Sequence, residues 1–290
     1  MPEGDTVWLA AKRLHAALAG SVLTGCDLRV PTLATTDLTG STVTGVVPRG
    51  KHLLTRFAGG PGDGFTLHTH FRMDGTWHLY PDGSSWRGGA DHQIRVVLRT
   101  EGLAVVGYRL PVVELVATAD EDDVVGHLGP DVLGPDWDPA EAVRRLAGDP
   151  DRMIGDALLD QRLIAGLGNI YRTETCFLTG VTPFTPVGAL REHGTTLERV
   201  VAVGQRLLDL NKDRVMQATT GDSRRGRYHW VFEQRACLRC GTRVRTATTG
   251  VAPRERIAWW CPHCQRGPAP TPVPVREIFP PTTGRTRYRP

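Results

Sequence analysis

Cys237-Leu-Arg-Cys240 and Cys261-Pro-His-Cys264 place two CxxC knuckles on either side of a twenty-residue interval. Four thiolates at that spacing can close a tetrahedral shell around zinc, and a shell so filled has no open position for catalysis. The task of such an ion is to hold the intervening RVRTATTG…RIAWW stretch as a β-hairpin. Paired redox dithiols are the rival reading, but they want a βαβ setting that is absent here, and disulfides do not suit a cytoplasmic chain. Cys26 and Cys176 sit among apolar residues and read as inert buried thiols, and His263, inside a filled knuckle, reads as a surface residue. The hairpin carries Arg243, Arg245, Arg254 and Arg256 beside Trp259 and Trp260, a combination suited to phosphates and DNA grooves.

Three further stretches could do chemistry. Gly166-Leu-Gly-Asn169 lies between two helical patterns, LLDQRLIA and IYRTETCFL, as a tight turn in a helix-turn-helix arrangement. The amides that begin the second helix form a natural phosphate site, although many helical hairpins also turn on glycine. Thr219-Thr-Gly-Asp-Ser-Arg-Arg-Gly-Arg227 has the composition of a loop that closes over a ligand, or of a plain surface loop. In Arg49-Gly-Lys-His-Leu-Leu54 one of only three lysines follows a glycine and leads into a strand; alone it reads as a surface lysine. The chain opens MPEGDTVW, without the apolar run of a signal peptide or anchor, so that start is expected to be structural or chemical.

The elements that must position these residues follow from periodicity. VWLAAKRLHAAL, residues 7–18, has helical spacing behind Asp5 and Thr6 as N-caps. Residues 21–116 contain short alternating runs separated by Gly, Pro and Asp turns, which predicts an antiparallel β-sandwich. After the acidic 119–123 stretch the period turns helical, in AEAVRRLAG, RMIGDALLDQ, IYRTETCFL and TTLERVVAVGQRLLDL. The expected class is α+β, divided as 1–120 β-sandwich, 121–232 helical, 233–266 zinc ribbon and 267–290 an irregular extension with seven prolines. Residues 212–290 hold 16 Lys/Arg against 5 Asp/Glu, whereas residues 1–211 hold 19 against 26. The basic last quarter is the part that seeks a polyanion. No apolar window approaches the length of a membrane span, so a cytoplasmic protein without a membrane partner is expected.

In order along the chain, MPEG, RGKHLL at 49–54, HFRMDG at 70–75, GLGNIYRTE at 166–174, TTGDSRRGRYHWV at 219–231 and the knuckle ending CPHCQ resemble the bacterial formamidopyrimidine-DNA glycosylase/endonuclease VIII family of base-excision repair enzymes. The resemblance runs from residue 2 to about residue 266. It implies an N-terminal β-sandwich, a helix-two-turn-helix module and a zinc ribbon, one structural zinc ion and damaged DNA as partner, in duplex or single-stranded form. It also implies a nucleoid-associated protein acting as a monomer.

The resemblance further implies that Pro2, once Met1 is removed, is the nucleophile and that Glu3 is its acid/base partner. Lys51, Asn169 and Arg256 match family residues that grip phosphates at the flipped nucleotide, with Lys51 and Arg256 also counted in the catalytic set. Met73 matches a residue that fills the void in the base stack, and His70, Arg109, Arg224 and Arg225 are expected to contact DNA. Two departures bear on substrate and mechanism. Asp5-Thr6 replaces the usual Pro-Glu, and the Asp-Pro-Arg-Arg-Phe-Gly segment of oxidised-purine enzymes is absent, with Gly107-Tyr-Arg-Leu-Pro111 roughly in its place. The pattern is closer to the endonuclease VIII branch and favours oxidised pyrimidines. The alternatives are an oxidised-purine enzyme and a damaged-DNA-binding protein that has lost turnover.

Overall fold

The computed structural model describes residues 2–250 and 255–273; Met1, Arg254 and the 274–290 part of the extension lie outside the described residues. In chain order the elements are α1 (Gly4–Leu18), β1 (Gly25–Leu28), β2 (Thr42–Arg49), β3 (His52–Ala58), β4 (Phe65–His70), β5 (Thr76–Pro81), β6 (Ile94–Thr100), β7 (Leu103–Tyr108), β8 (Val112–Ala117), α2 (Asp122–Val125), α3 (Pro139–Leu146), α4 (Ile154–Ala157), α5 (Asn169–Thr179), α6 (Leu197–Asn211), β9 (Arg245–Thr249) and β10 (Arg256–Trp260). They form two compact units: Met1–Arg145 with Asp160–Gly168 and Gln205–Gln217, and Leu146–Leu159 with Asn169–Gly204 and Ala218–Pro290.

The first unit contains the expected sandwich. Two antiparallel sheets have the orders β1-β6-β7-β5 and β2-β3-β4-β8. Alternate residues turn inward, Leu53 and Phe57 from β3, Leu67 from β4, Val96 and Leu98 from β6. The stripe Val7, Ala11, Leu14 and Leu18 of α1 joins the same core, each buried Val or Leu contributing about 1.5–3 kcal/mol. This stripe is what fixes α1 and therefore the chain start. The helix begins at Gly4, earlier than the periodicity suggests, because Glu3 takes the N-cap in an extended conformation and Thr6 Oγ1 accepts from its backbone N–H at 3.5 Å. Asp5 and Thr6 thus lie inside the first turn rather than capping it.

The helix expected over LLDQRLIA does not form. α4 ends at Ala157, and residues 158–168 run through turns. Asp160 Oδ1 captures the Arg162 N–H at 3.1 Å, while the Gln161 carbonyl and Ala165 amide pair with Gly129 and Pro130. Side-chain capture and cross-chain pairing outcompete the helical ladder.

In the second unit α5 is buried almost throughout. Its Ile170 and Phe177 pack with Val231, Phe232, Ile257 and Trp259, while Trp260 and Ala258 pack with Phe184 and Ala247. β10 is therefore apolar on both faces, and Trp259 and Trp260, expected beside DNA, are core residues 6% and 2% exposed. A ribbon this small buries its large side chains to make a core. β9 and β10 pair antiparallel, as the hairpin reading predicts. Residues 267–273 are irregular, and Val273 bonds Thr246 through its N–H (2.7 Å) and carbonyl (2.6 Å). No helix among the described residues is long and apolar enough to cross a membrane.

Candidate active site

Glu3 is buried where α1 begins, and its Oε2 accepts from the backbone N–H of Gly168 at 2.7 Å. Gly4 N–H donates to Gly166 O at 2.9 Å. The approach is so close that a Cβ on Gly168 would lie 2.5 Å from the Glu3 carboxyl carbon, and one on Gly4 2.9 Å from Gly166 Cα. Gly166 itself has φ +104°, a conformation side chains resist. The glycines of MPEG and GLGN are thus explained by one contact between two distant motifs.

Lys51 reaches the same turn, its Nζ donating to Leu167 O. The Leu167–Gly168 peptide therefore carries the ammonium on its oxygen and the Glu3 carboxylate on its nitrogen, with half-buried Pro2 next to Glu3. Lys51 is placed by the two-residue β2–β3 turn, in which Gly50 has φ +57° and donates its N–H to Asp131 Oδ2 at 2.7 Å. Burial pushes the Asp131 carboxyl up, opposed by the Gly50 and Leu133 amides. Asp5, 1% exposed, accepts from Gln217 Nε2 at 2.9 Å and from Thr6 Oγ1 at 3.4 Å. It supplies a buried carboxylate in the first turn, one position before Thr6, which stands where the family pattern has its second glutamate; the helix dipole favours an anion in that turn.

Beside Lys51 the imidazoles of His52, His68, His70 and His127 gather. His68 Nδ1 lies 2.9 Å from Glu114 Oε2, and His68 Nε2 lies 2.8 Å from His52 Nδ1. Since the carboxylate only accepts, a proton on His68 Nδ1 faces Glu114; in the singly protonated tautomer His68 Nε2 accepts from His52 Nδ1, which leaves His52 Nε2 as an acceptor. His70 packs edge-on against His52 at 4.8 Å, and its Nδ1 accepts the Arg72 N–H at 2.9 Å, so its proton sits on Nε2. Burial, then neighbouring histidines and cations, lower His52 to about 3 and His70 to about 4. His70 thus offers a neutral N–H donor rather than a cation.

Met73 is not in a strand, as a β-pattern reading has it, but in the β4–β5 turn, 58% exposed. Arg72 in that turn holds φ +50°. Arg109 follows β7 directly. Also at φ +50°, it donates to Asp74 O (3.1 Å), Gly88 O (3.1 Å), Gln93 Oε1 (3.1 Å) and Thr76 Oγ1 (3.3 Å). With all three guanidinium nitrogens bound, it braces the Met73 turn from behind.

In the second unit Asn169 opens α5, donating from Nδ2 to Ile257 O at 3.1 Å and accepting from Arg172 on Oδ1. Fully buried Arg172 also donates to Ile257 O (2.9 Å) and Thr249 Oγ1 (3.3 Å), which ties Asn169 to the strand that presents exposed Arg256. Glu174 is equally buried and accepts from Thr219 Oγ1 (2.5 Å) and from the amides of Trp230 (2.8 Å), Val231 (2.9 Å) and Phe232 (2.9 Å). This one carboxylate holds both ends of the 219–232 segment. Within that segment Asp222 pairs with Arg224 at 2.6 Å and Arg227 at 2.9 Å, which holds its carboxyl well below the usual range; Arg225 is exposed.

Asp131, Arg172 and Glu174 receive no role from the motifs, although the last two lie within GLGNIYRTE. A signal for the last two existed, since positions two apart on a helix diverge by about 200° and cannot share one solvent face.

The four cysteine sulfurs lie within 4.8 Å of one another, with Cys237–Cys264 at 4.0 Å and Cys240–Cys261 at 3.5 Å. A tetrahedron with metal–sulfur bonds of about 2.3 Å has edges of about 3.8 Å, so the set fits a metal ion. Burial pushes the other two thiols up, Cys26 to about 11 and Cys176 to about 12, and keeps them unreactive. His263 is exposed.

Two family descriptions match the sequence: formamidopyrimidine-DNA glycosylase N-terminal domain over residues 1–110 and formamidopyrimidine-DNA glycosylase H2TH domain over residues 128–216. A protein of Streptomyces coelicolor named probable endonuclease 8 2 is 54% identical over 100% of this chain and 99% of its own length. The DNA-(apurinic or apyrimidinic site) lyase Nei2 of Mycolicibacterium smegmatis is 45% identical over 91% of this chain and 99% of its own. Among solved structures, Lactococcus lactis formamidopyrimidine-DNA glycosylase bound non-covalently to DNA containing an AP site covers 92% of this chain and 100% of its own. Its TM-score of 0.70 at 21% identity is a likeness of fold.

Proposed function

The chain belongs to the formamidopyrimidine-DNA glycosylase/endonuclease VIII family of DNA glycosylase/AP lyases, and on that premise we propose that it excises oxidised pyrimidines through its N-terminal proline. Removal of Met1 frees the Pro2 amine. An α-amino group titrates near ~7.7–8.0 against ~10.4 for lysine, so far more of it is neutral at physiological pH. Pro2 nitrogen attacks C1′ of a flipped nucleotide, the C1′–base bond breaks, and the base departs with its electron pair to be protonated. A secondary amine bonded to C1′ yields an iminium directly as the sugar ring opens, and Glu3 protonates the ring oxygen. The iminium acidifies C2′–H; loss of that proton expels the 3′ phosphate, and a second, δ-elimination releases the 5′ phosphate.

The observation that carries this reading is the single peptide that gathers Glu3 and Lys51 next to Pro2. Lys51, Asn169, Arg256 and the neutral donor His70 are assigned to phosphates of the lesion strand, Met73 to the vacated stack, and Arg225 with Arg224 to the flanking DNA. The four cysteines hold one structural zinc ion, a closed thiolate shell that keeps β9 and β10 paired and takes no part in bond breaking. The segments 1–120, 121–232, 233–266 and 267–290 serve as catalytic, helical DNA-binding, ribbon and extension modules of a monomer acting at the chromosome.

Borohydride reduction tests the reading. The protein, its lost Met1 verified by intact mass, is expected to become covalently trapped on duplexes bearing an abasic site or an oxidised pyrimidine. Absence of a trapped species with a free Pro2 would sink the proposal in favour of a binding protein. Preferential excision of oxidised purines would overturn the substrate assignment alone.

A further inference from the structure

Gln161 lies in the stretch that fails to form a helix, and its side chain brackets the catalytic turn. Its Oε1 accepts from Gly166 N–H at 3.0 Å, and its Nε2 donates to Leu167 O at 2.9 Å. The backbone of Gln161 is itself fixed, its carbonyl accepting from Gly129 N–H at 2.8 Å. Nothing assigned above uses this residue. Its consequence follows from the geometry of the amide: a trans peptide is planar, with C=O and N–H pointing in opposite directions. Whatever fixes the direction of Leu167 O also fixes the direction of Gly168 N–H, the donor that holds Glu3 at 2.7 Å.

Leu167 O has two donors, Lys51 and Gln161. Under the proposed function Lys51 turns to a DNA phosphate and leaves that oxygen; Gln161 makes no such move. We infer that Gln161 is a positioning residue that keeps the Leu167–Gly168 peptide, and through it the Glu3 carboxylate, in its working orientation after Lys51 has engaged DNA. The inference rests on the catalytic role given to Glu3 and Lys51.

The test compares wild type with Gln161→Leu, which removes both bonds, and Gln161→Glu, which keeps the acceptor for Gly166 N–H and loses the donor to Leu167 O. Single-turnover cleavage of an abasic-site duplex is expected to slow about 10- to 100-fold in both variants, since misplacement of a catalytic group by about 1 Å costs on that order. Duplex dissociation constants should stay within about threefold, because the phosphate contacts are untouched. Hydrogen exchange at the Gly168 amide, read without substrate, should accelerate in both.

Wild-type cleavage rates in the variants, or equal losses of rate, binding and thermal stability, overturn the inference. If wild type itself is not trapped by borohydride on abasic DNA, the proposed function fails first and takes this role with it. If wild type is trapped while the variants cleave normally, only the role of Gln161 falls.

Discussion

Met73 stands 58% exposed at the tip of a turn in which Arg72 occupies a left-handed conformation and Arg109 supplies the brace. A flexible, polarisable thioether at a turn tip gains free energy when an apolar cover is presented to it. Under the proposed function the void left by a flipped nucleotide is such a cover. Met73→Ala is therefore expected to lower excision of an oxidised base about tenfold or more while leaving cleavage at a pre-formed abasic site within a few fold, because the wedge serves extrusion rather than elimination. Parallel rate measurements on the two duplexes check this. His52 and His70 make a second prediction at the same scale. Their folded values of about 3 and about 4 lie below the ~6.5 of an unfolded histidine, so below pH 6.5 the unfolded chain binds protons that the folded one refuses. Stability then falls as pH drops from about 6.5 toward 4, by up to about 2 kcal/mol per histidine at pH 5. Thermal melts of wild type against His52→Gln across pH 4.5–7.5 should show a shallower acid slope in the variant.

The glycine turn of residues 166–168 is the element on which Glu3 and Lys51 converge. Gly168→Ala places a methyl 2.5 Å from the Glu3 carboxyl carbon, so either Glu3 or the turn must move. Abasic-site cleavage is expected to drop by at least about 100-fold with only a modest shift in Tm. Circular dichroism melts and single-turnover assays on one preparation separate the two effects. The turn also illustrates what a linear reading reaches. The glycines, Lys51 and the CxxC knuckles were legible because each is dictated locally, by backbone conformation or by ligand spacing. The strands were legible from alternation, and their pairing into two sheets followed from the class. The stretch over LLDQRLIA misled because its apolar spacing is helical while its hydrogen bonds go to Gly129 and Pro130, partners thirty residues away that no local pattern announces. Gln161, Asp131, Arg172 and Glu174 stayed hidden for the same reason: their partners lie between three and 85 positions off. Trp259 and Trp260 looked like DNA contacts beside arginine, yet strand alternation with burial on both faces places them inside.

Across the whole molecule the charge is unevenly spread, with the excess of arginine concentrated after residue 211. Affinity for DNA should accordingly fall steeply with salt, the logarithm of the association constant changing linearly with log salt by about 0.9 per phosphate neutralised. Arg256→Gln is expected to reduce that slope by about one and to weaken binding to all sequences alike, whereas Asn169→Ala should weaken binding with little change of slope. Fluorescence anisotropy titrations at 50–300 mM salt measure both, and an unchanged slope for Arg256→Gln removes that residue from the phosphate contacts. The burial of two adjacent indoles has a practical consequence. Trp260 is bonded to Cys261, one of the four clustered thiols, and Trp259 packs tilted against Phe232 with ring centroids 4.7 Å apart, so removal of a metal ion held by the cluster is expected to change the polarity around both rings. The ribbon thereby carries its own optical gauge: a red shift in tryptophan emission on adding chelator would report emptying of the cluster in real time, without a label and without DNA.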